Sequence, residues 1–313
     1  MSDMWYNLDT KLKGEKFMNT IKLRMLDSKN IYGTINGGTV RYTNITDADK
    51  KMIKDMQNLK TLEEVQDVDF RGNAALRNAV FKKHRQAFAA AEGFDWRKMF
   101  MADQKNLDGS VFEVTREYVE ANPNGWTDID EDILMMRKNL EGVALGHPVA
   151  DCAVVSAEDR KQGITVVAHC GGEMVDKRIP QMAIEALYRE GSKPEDIIVN
   201  VGSRAGDSWV YTENKPRWAT DEQIWDQTGA IVPGQVMKDG KMVDSYAICQ
   251  DNALAYEFAQ VGIPSENIIW DTNDTIINPM YYSNSAASGG KAEKFGRQFV
   301  GAIYQEEGKA RVR

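Results

Sequence analysis

The pattern of apolar and polar positions along the chain predicts interleaved strands and helices. "TIKLRML" alternates the two kinds of residue, as a half-buried strand does. Beyond it, Gly33, Gly37 and Gly38 cut "NIYGTINGGTVRYTN" into extended pieces joined by turns. Between Asn73 and Gly93 the apolar residues Leu76, Val80, Ala87 and Ala91 fall near helical spacing, and Gly93 stands where a C-terminal cap belongs. "WRKMFMADQ" reads as a strand.

The second half is more regular. Two β-branched runs, "ADCAVVS" and "ITVVAHC", flank the polar turn "AEDRKQG" and predict a hairpin of buried strands. "IPQMAIEALYREG" is a helix with Pro180 in its first turn and Gly191 at its end. "PEDIIVNVG" is another strand, whereas residues 207–244, rich in Trp, Gly and polar side chains, read as a loop-rich insertion. "QDNALAYEFAQVG" is a helix with Asp251 as its cap and Leu254, Phe258 and Val261 as its buried stripe. "ENIIWDT" and "FVGAIYQ" close the series as strands. The order lacks strict βαβ regularity, so a mixed sheet is expected rather than a parallel one.

Composition narrows the function classes. The chain has 313 residues, of which 42% are hydrophobic and 27% charged, enough for a substantial core under a polar surface. Its 39 basic against 47 acidic residues leave a net charge of −8, which argues against nucleic acid as a partner. No apolar run reaches the length of a membrane span, and the first residues carry no apolar signal region. The three cysteines are too few for a disulfide framework, so a reducing, cytoplasmic setting is expected.

Cys152 and His169 stand near the open ends of the predicted hairpin, where antiparallel pairing can set them side by side. Such a pair serves three purposes equally well. Cys152 can be a nucleophile with His169 as its base; both can ligate zinc, given a further protein ligand; or both can be packed core residues.

"HPVADC" followed by "VVAHCGG" resembles the paired signature T-A-D-C and A-H-x-G-W of the laccase-domain family, also called multicopper polyphenol oxidoreductase or purine nucleoside phosphorylase-like. The likeness runs on in order. "YGTINGGTV" is similar to the family's N-terminal T-R-x-G-G-V-S segment, and "NAVFKKHRQAFAAAEGF" to its long helix. "PEDIIVNVGSRAG" resembles the strand ending in I-G-P-A-I-G, and the stretch from Asp251 to Ile303 its closing part with the Gly-Arg pair. The resemblance implies one α/β domain of four layers, α/β/β/α, with mixed sheets. It implies zinc held by two histidines and the cysteine, and a small-molecule substrate of the purine nucleoside type, cleaved by phosphorolysis or deaminated. Arg297, in the Gly-Arg pair, and Asn36, in the place of an N-terminal arginine, are the implied substrate-binding positions.

Several positions depart from that pattern. The family's first metal-binding histidine lies in Gln-Val-His-Gly; "ADQKNLDG" puts Asn106 there. Gly172 and Glu173 replace a Trp and an Arg, Asn284 and Ser285 a Tyr-Arg, and Asp271 a cysteine. Three expectations follow. A zinc enzyme requires a substitute ligand, with His147 first in line and Cys170 or Asp271 behind it. A metal-free thiol enzyme, like the glutamine deamidases of the same fold superfamily, requires only Cys152 and His169. A non-catalytic binding protein would offer the aromatics Trp209, Tyr211, Trp218 and Trp225 as a contact surface.

Overall fold

The structure, a computed structural model, describes residues 21–27, scattered positions between 51 and 90, and 91–306 apart from 103, 126–128, 207–209, 239, 279–280, 282 and 289–297. Its elements, in order, are β1 (Ile21–Asp27), β2 (Met99–Met101), β3 (Val111–Glu113), α1 (Arg116–Ala121), β4 (Ile133–Arg137), β5 (Ala144–Val149), β6 (Ala153–Asp159) and β7 (Ile164–Cys170). They continue with α2 (Gly172–Asp176), α3 (Ile179–Arg189), β8 (Ile197–Val201), β9 (Val210–Thr212), α4 (Glu222–Trp225), β10 (Ile231–Lys238) and β11 (Lys241–Ile248). The last are α5 (Gln250–Gln260), β12 (Ile268–Trp270), α6 (Asn284–Ser288) and β13 (Gln298–Glu306).

Among the described residues the strands form three sheets within one mixed α/β domain: β12-β8-β6-β7-β4-β3, β1-β13-β5-β2 and β10-β11-β9. The first two are mixed, as the irregular order of elements predicts, with parallel pairs β12/β8, β3/β4 and β2/β5 among antiparallel ones. Alternation sorts the side chains of β6 and β7 between two cores. Val155, Val166 and Ala168 pack against Ile184 and Leu187 of α3 and Leu254 and Phe258 of α5. Val154 and Val167 face the other way, onto Leu145, Val300 and Tyr304 of the four-stranded sheet. That sheet's opposite face, with Met99, Ala144 and Ile303, receives Phe88. Each fully buried side chain of this size contributes roughly 1.5–3 kcal/mol. The helical residues 88–92 end at Gly93, whose φ of +76° and the Phe94 N–H bond to the Ala89 carbonyl form the expected cap.

β5 and β13 approach closely because two glycines, Gly146 and Gly301, lie opposite each other. A Cβ on Gly301 would sit 2.0 Å from the Leu145 carbonyl oxygen, so no other residue fits there.

Two expectations are corrected. The described residues of 207–244, expected as a loop-rich insertion, hold β9, α4 and most of the β10–β11 hairpin, whose register runs from Ile231↔Ile248 to Lys238↔Lys241. The hairpin turns at Gly240, whose φ is +76°. Its strands escape notice because their tip is solvated, with Met237 and Met242 largely exposed, so apolar alternation fades. Asp251 does not cap α5. Cys249 is the capping residue, without a side-chain bond, while Asp251 pairs with Arg204. Among the described residues no helix is long and apolar enough to cross a membrane.

Candidate active site

The predicted hairpin forms, with Val154 directly opposite His169. Cys152, two residues before Val154, therefore shares the face of His169, at the end of the strand pair. Gly171 follows on. A Cβ built on it would lie 3.1 Å from Cys152 Sγ and 3.2 Å from His169 Nε2. Thiol and imidazole thus converge over a backbone that has no side chain to part them.

His169 is aimed by Gln104. Nδ1 lies 2.7 Å from Gln104 Oε1, which accepts its proton, while Gln104 Nε2 donates to the carbonyls of His169 and Asp132, each at 3.1 Å. An amide oxygen can only accept, so Nδ1 carries the proton and Nε2 keeps its lone pair. Gln104 is buried and left-handed, at φ +50°, and the loop after it turns again at Leu107, φ +52°, and Gly109, φ +76°. The buried Asp132 carboxylate pays for this shape, accepting N–H bonds from Leu107 at 3.1 Å, Asp108 at 2.7 Å and Gly109 at 2.8 Å.

Cys152 is aimed from the other side by Asp151. This residue is also left-handed, at φ +73°, which turns the chain into β6. Its carboxylate accepts from Thr275 Oγ1 at 2.8 Å and from the Ser285 N–H at 2.7 Å, and its carbonyl from the Ala205 N–H at 2.9 Å. Behind Cys152, Gln250 Oε1 accepts the Ala153 N–H at 3.2 Å.

The remaining predicted residues are distributed as follows. His147, on β5, is buried and meets His169 across the sheets, ring centroids 5.9 Å apart. Burial, and secondarily the neighbouring His169, push its pKa down to about 3, so it is neutral. Cys170 faces the opposite side of β7, in the core under α3, where burial raises its pKa and keeps it a thiol. Asn106 is exposed and donates to Ser110 Oγ at 3.3 Å. Asp271, just past the edge strand β12, accepts from its own turn, at Asn273. Asn36, Arg297, His84 and Trp209 lie outside the described residues. Of the other aromatics, Trp225 is fully buried, Trp218 half-buried and Tyr211 exposed.

A zinc site of the implied kind needs three protein donors within about 2.3 Å of one ion. Two are in place. Among the described residues, however, no three His, Cys, Asp or Glu side chains are grouped so as to hold an ion. Asn106 turns to Ser110, and His147 lies across the inter-sheet layer. This donor set does not fit the implied zinc.

The family profile described as multi-copper polyphenol oxidoreductase laccase matches residues 73–305, the stretch that carries all of this geometry. The chain belongs to that family. Solved structures share its fold. It is similar to the hypothetical protein YfiH of Bacillus licheniformis, with a TM-score of 0.56 and 19% identity over 72% of this chain and 81% of that one. YlmD of Geobacillus stearothermophilus follows at 0.53 and 17%, over 73% and 82%. Neisseria meningitidis protein NMB0706 gives 0.53 and 13%, over 77% and 87%. At these identities the likeness is one of fold. No curated protein matches the chain.

Sequence reasoning missed three residues that position the candidate pair. Gln104 was visible as the retained glutamine of Gln-Val-His-Gly, and Asp151 as the aspartate of Ala-Asp-Cys. Asp132 gave no signal, since its three bonds are all to backbone.

Proposed function

We propose that this laccase-domain protein is a metal-independent thiol enzyme acting on an amide or ester bond of a small molecule, with Cys152 as nucleophile and His169 as base. The observation that carries this is the Gln104 bond to His169 Nδ1, which leaves Nε2 as a proton acceptor beside the Cys152 thiol. In the first step Sγ bonds to the substrate carbonyl carbon and its proton passes to Nε2. The imidazolium then gives that proton to the departing amine or alcohol as the carbon–heteroatom bond breaks, leaving a thioester. Water, deprotonated by Nε2, releases the acid and restores the thiol.

Phosphorolysis of a nucleoside is less well supported, because a guanidinium is the usual bidentate grip for phosphate. Arg204, at the end of β8, is spent on Asp251 and on the carbonyls of Gly202 and Asp271, and lies over the Trp270 ring.

The test is alkylation of purified protein with iodoacetamide at pH 7, read at each cysteine by peptide mass spectrometry, alongside zinc analysis. Cys152 is expected to react at least tenfold faster than a thiol of the unfolded chain, without bound zinc. Cys152→Ala should abolish hydrolysis of p-nitrophenyl acetate. An ordinary rate at Cys152, or stoichiometric zinc that blocks it, overturns the proposal.

A further inference from the structure

Beside the thiol stands an aromatic side chain from another part of the chain. A Cβ built on Gly172 would lie 2.3 Å from Trp218 Cη2 and 2.5 Å from its Cζ2, so the edge of the indole rests directly on the Gly172 backbone. Gly172 is the neighbour of Gly171, over which Cys152 Sγ and His169 Nε2 meet. The two glycines form one floor, with the reacting pair at one end and the indole at the other.

The indole is held in place. Asp176, at the end of α2, accepts from the Thr220 N–H and Oγ1, each at 2.7 Å, from the Asp221 N–H at 3.0 Å and from Trp225 Nε1 at 2.8 Å. Arg178 adds an ion pair to Asp221 at 2.6 Å. The buried Trp225 then packs edge-to-face on Trp218, centroids 5.1 Å apart. Trp218 itself stays half-buried. Trp218 thus packs at the edge of the core, above the buried Trp225, on the glycine that follows the one facing Cys152 and His169.

We infer that Trp218 is the wall of a substrate subsite for a planar or aromatic group next to the bond cleaved at Cys152, an inference that rests on the thiol reading above. A flat group stacked on the indole would place its attached carbonyl over the glycine floor.

The test compares two alkylating probes at Cys152, iodoacetamide and its N-phenyl counterpart iodoacetanilide, as a ratio of rates. In the native protein the ratio should favour iodoacetanilide about three- to tenfold over the ratio found with glutathione. Trp218→Leu, which keeps apolar bulk over Gly172, should bring the ratio down to the glutathione value, and Trp218→Phe should retain most of it. A native ratio equal to that of glutathione, or a Leu variant that keeps the preference, overturns the inference. The rate with iodoacetamide alone separates the two ideas: an ordinary rate with the aryl preference intact sinks the thiol reading and leaves the wall standing.

Discussion

Gln104 grips His169 at both ends, taking the Nδ1 proton at 2.7 Å and giving its own amide proton to the His169 carbonyl at 3.1 Å. One side chain therefore sets both the tilt of the ring and the end of the strand that bears it. Gln104→Leu removes these bonds and leaves buried carbonyls unpaired. It is expected to lower the iodoacetamide rate at Cys152 about tenfold and to destabilise the fold by about 1–3 kcal/mol. Gln104→Glu keeps the acceptor, so it should recover much of the rate, with the pH profile moved upward by the added charge on the imidazole.

Asp132 acts one step further back. Asp132→Asn loses the charge that draws three N–H groups of the loop 107–109 together, and about 2–4 kcal/mol of stability with it. Amide exchange at Leu107, Asp108 and Gly109 should accelerate before that of β6 and β7. A variant with native exchange in this loop would show that the turn holds without the carboxylate.

His147 and Glu257 tilt stability with pH in opposite directions. The folded-state pKa of His147, about 3, lies below its usual 6.5, so only the unfolded chain takes up the proton between these values and stability falls as pH drops below 6.5. His147 Nε2 also has no hydrogen-bond partner among the described residues. His147→Leu should thus be at least as stable as the native protein at pH 7 and about 2 kcal/mol more stable at pH 5, by urea denaturation.

Glu257, wholly buried on α5, has its pKa raised to about 7, chiefly by burial, with Arg178 opposing and Asp221 and Glu185 reinforcing. The folded state here holds its proton longer than the unfolded one, so stability is greatest below about 4.5 and is lost as pH rises to about 7. Glu257→Gln should be indistinguishable from native protein at pH 4.5 and about 3 kcal/mol more stable at pH 8. Equal stability at both would show that a paired, ionised carboxylate is accommodated.

What could be read in the sequence is what local patterning encodes. The β6–β7 hairpin, the helices α3 and α5 and the shared face of Cys152 and His169 all follow from periodicity and turn residues. β4 and β5 went unassigned: ILMMR and ALGHPV are poor in the β-branched residues that marked β6 and β7. The cap at Asp251 was misread because its ion pair with Arg204, 47 residues away, outcompetes a local bond. Trp218 could not be placed beside Gly172 at all, since only the folded path of 218–225, pinned to Asp176, brings them together.

Asp151, the residue before Cys152, is fixed by bonds to Thr275 and Ser285, 124 and 134 positions downstream. A ribosome that has delivered the hairpin has therefore not yet delivered the groups that steady its thiol. The setting of Cys152 should become native only after Thr275 and Ser285 have been added to the chain.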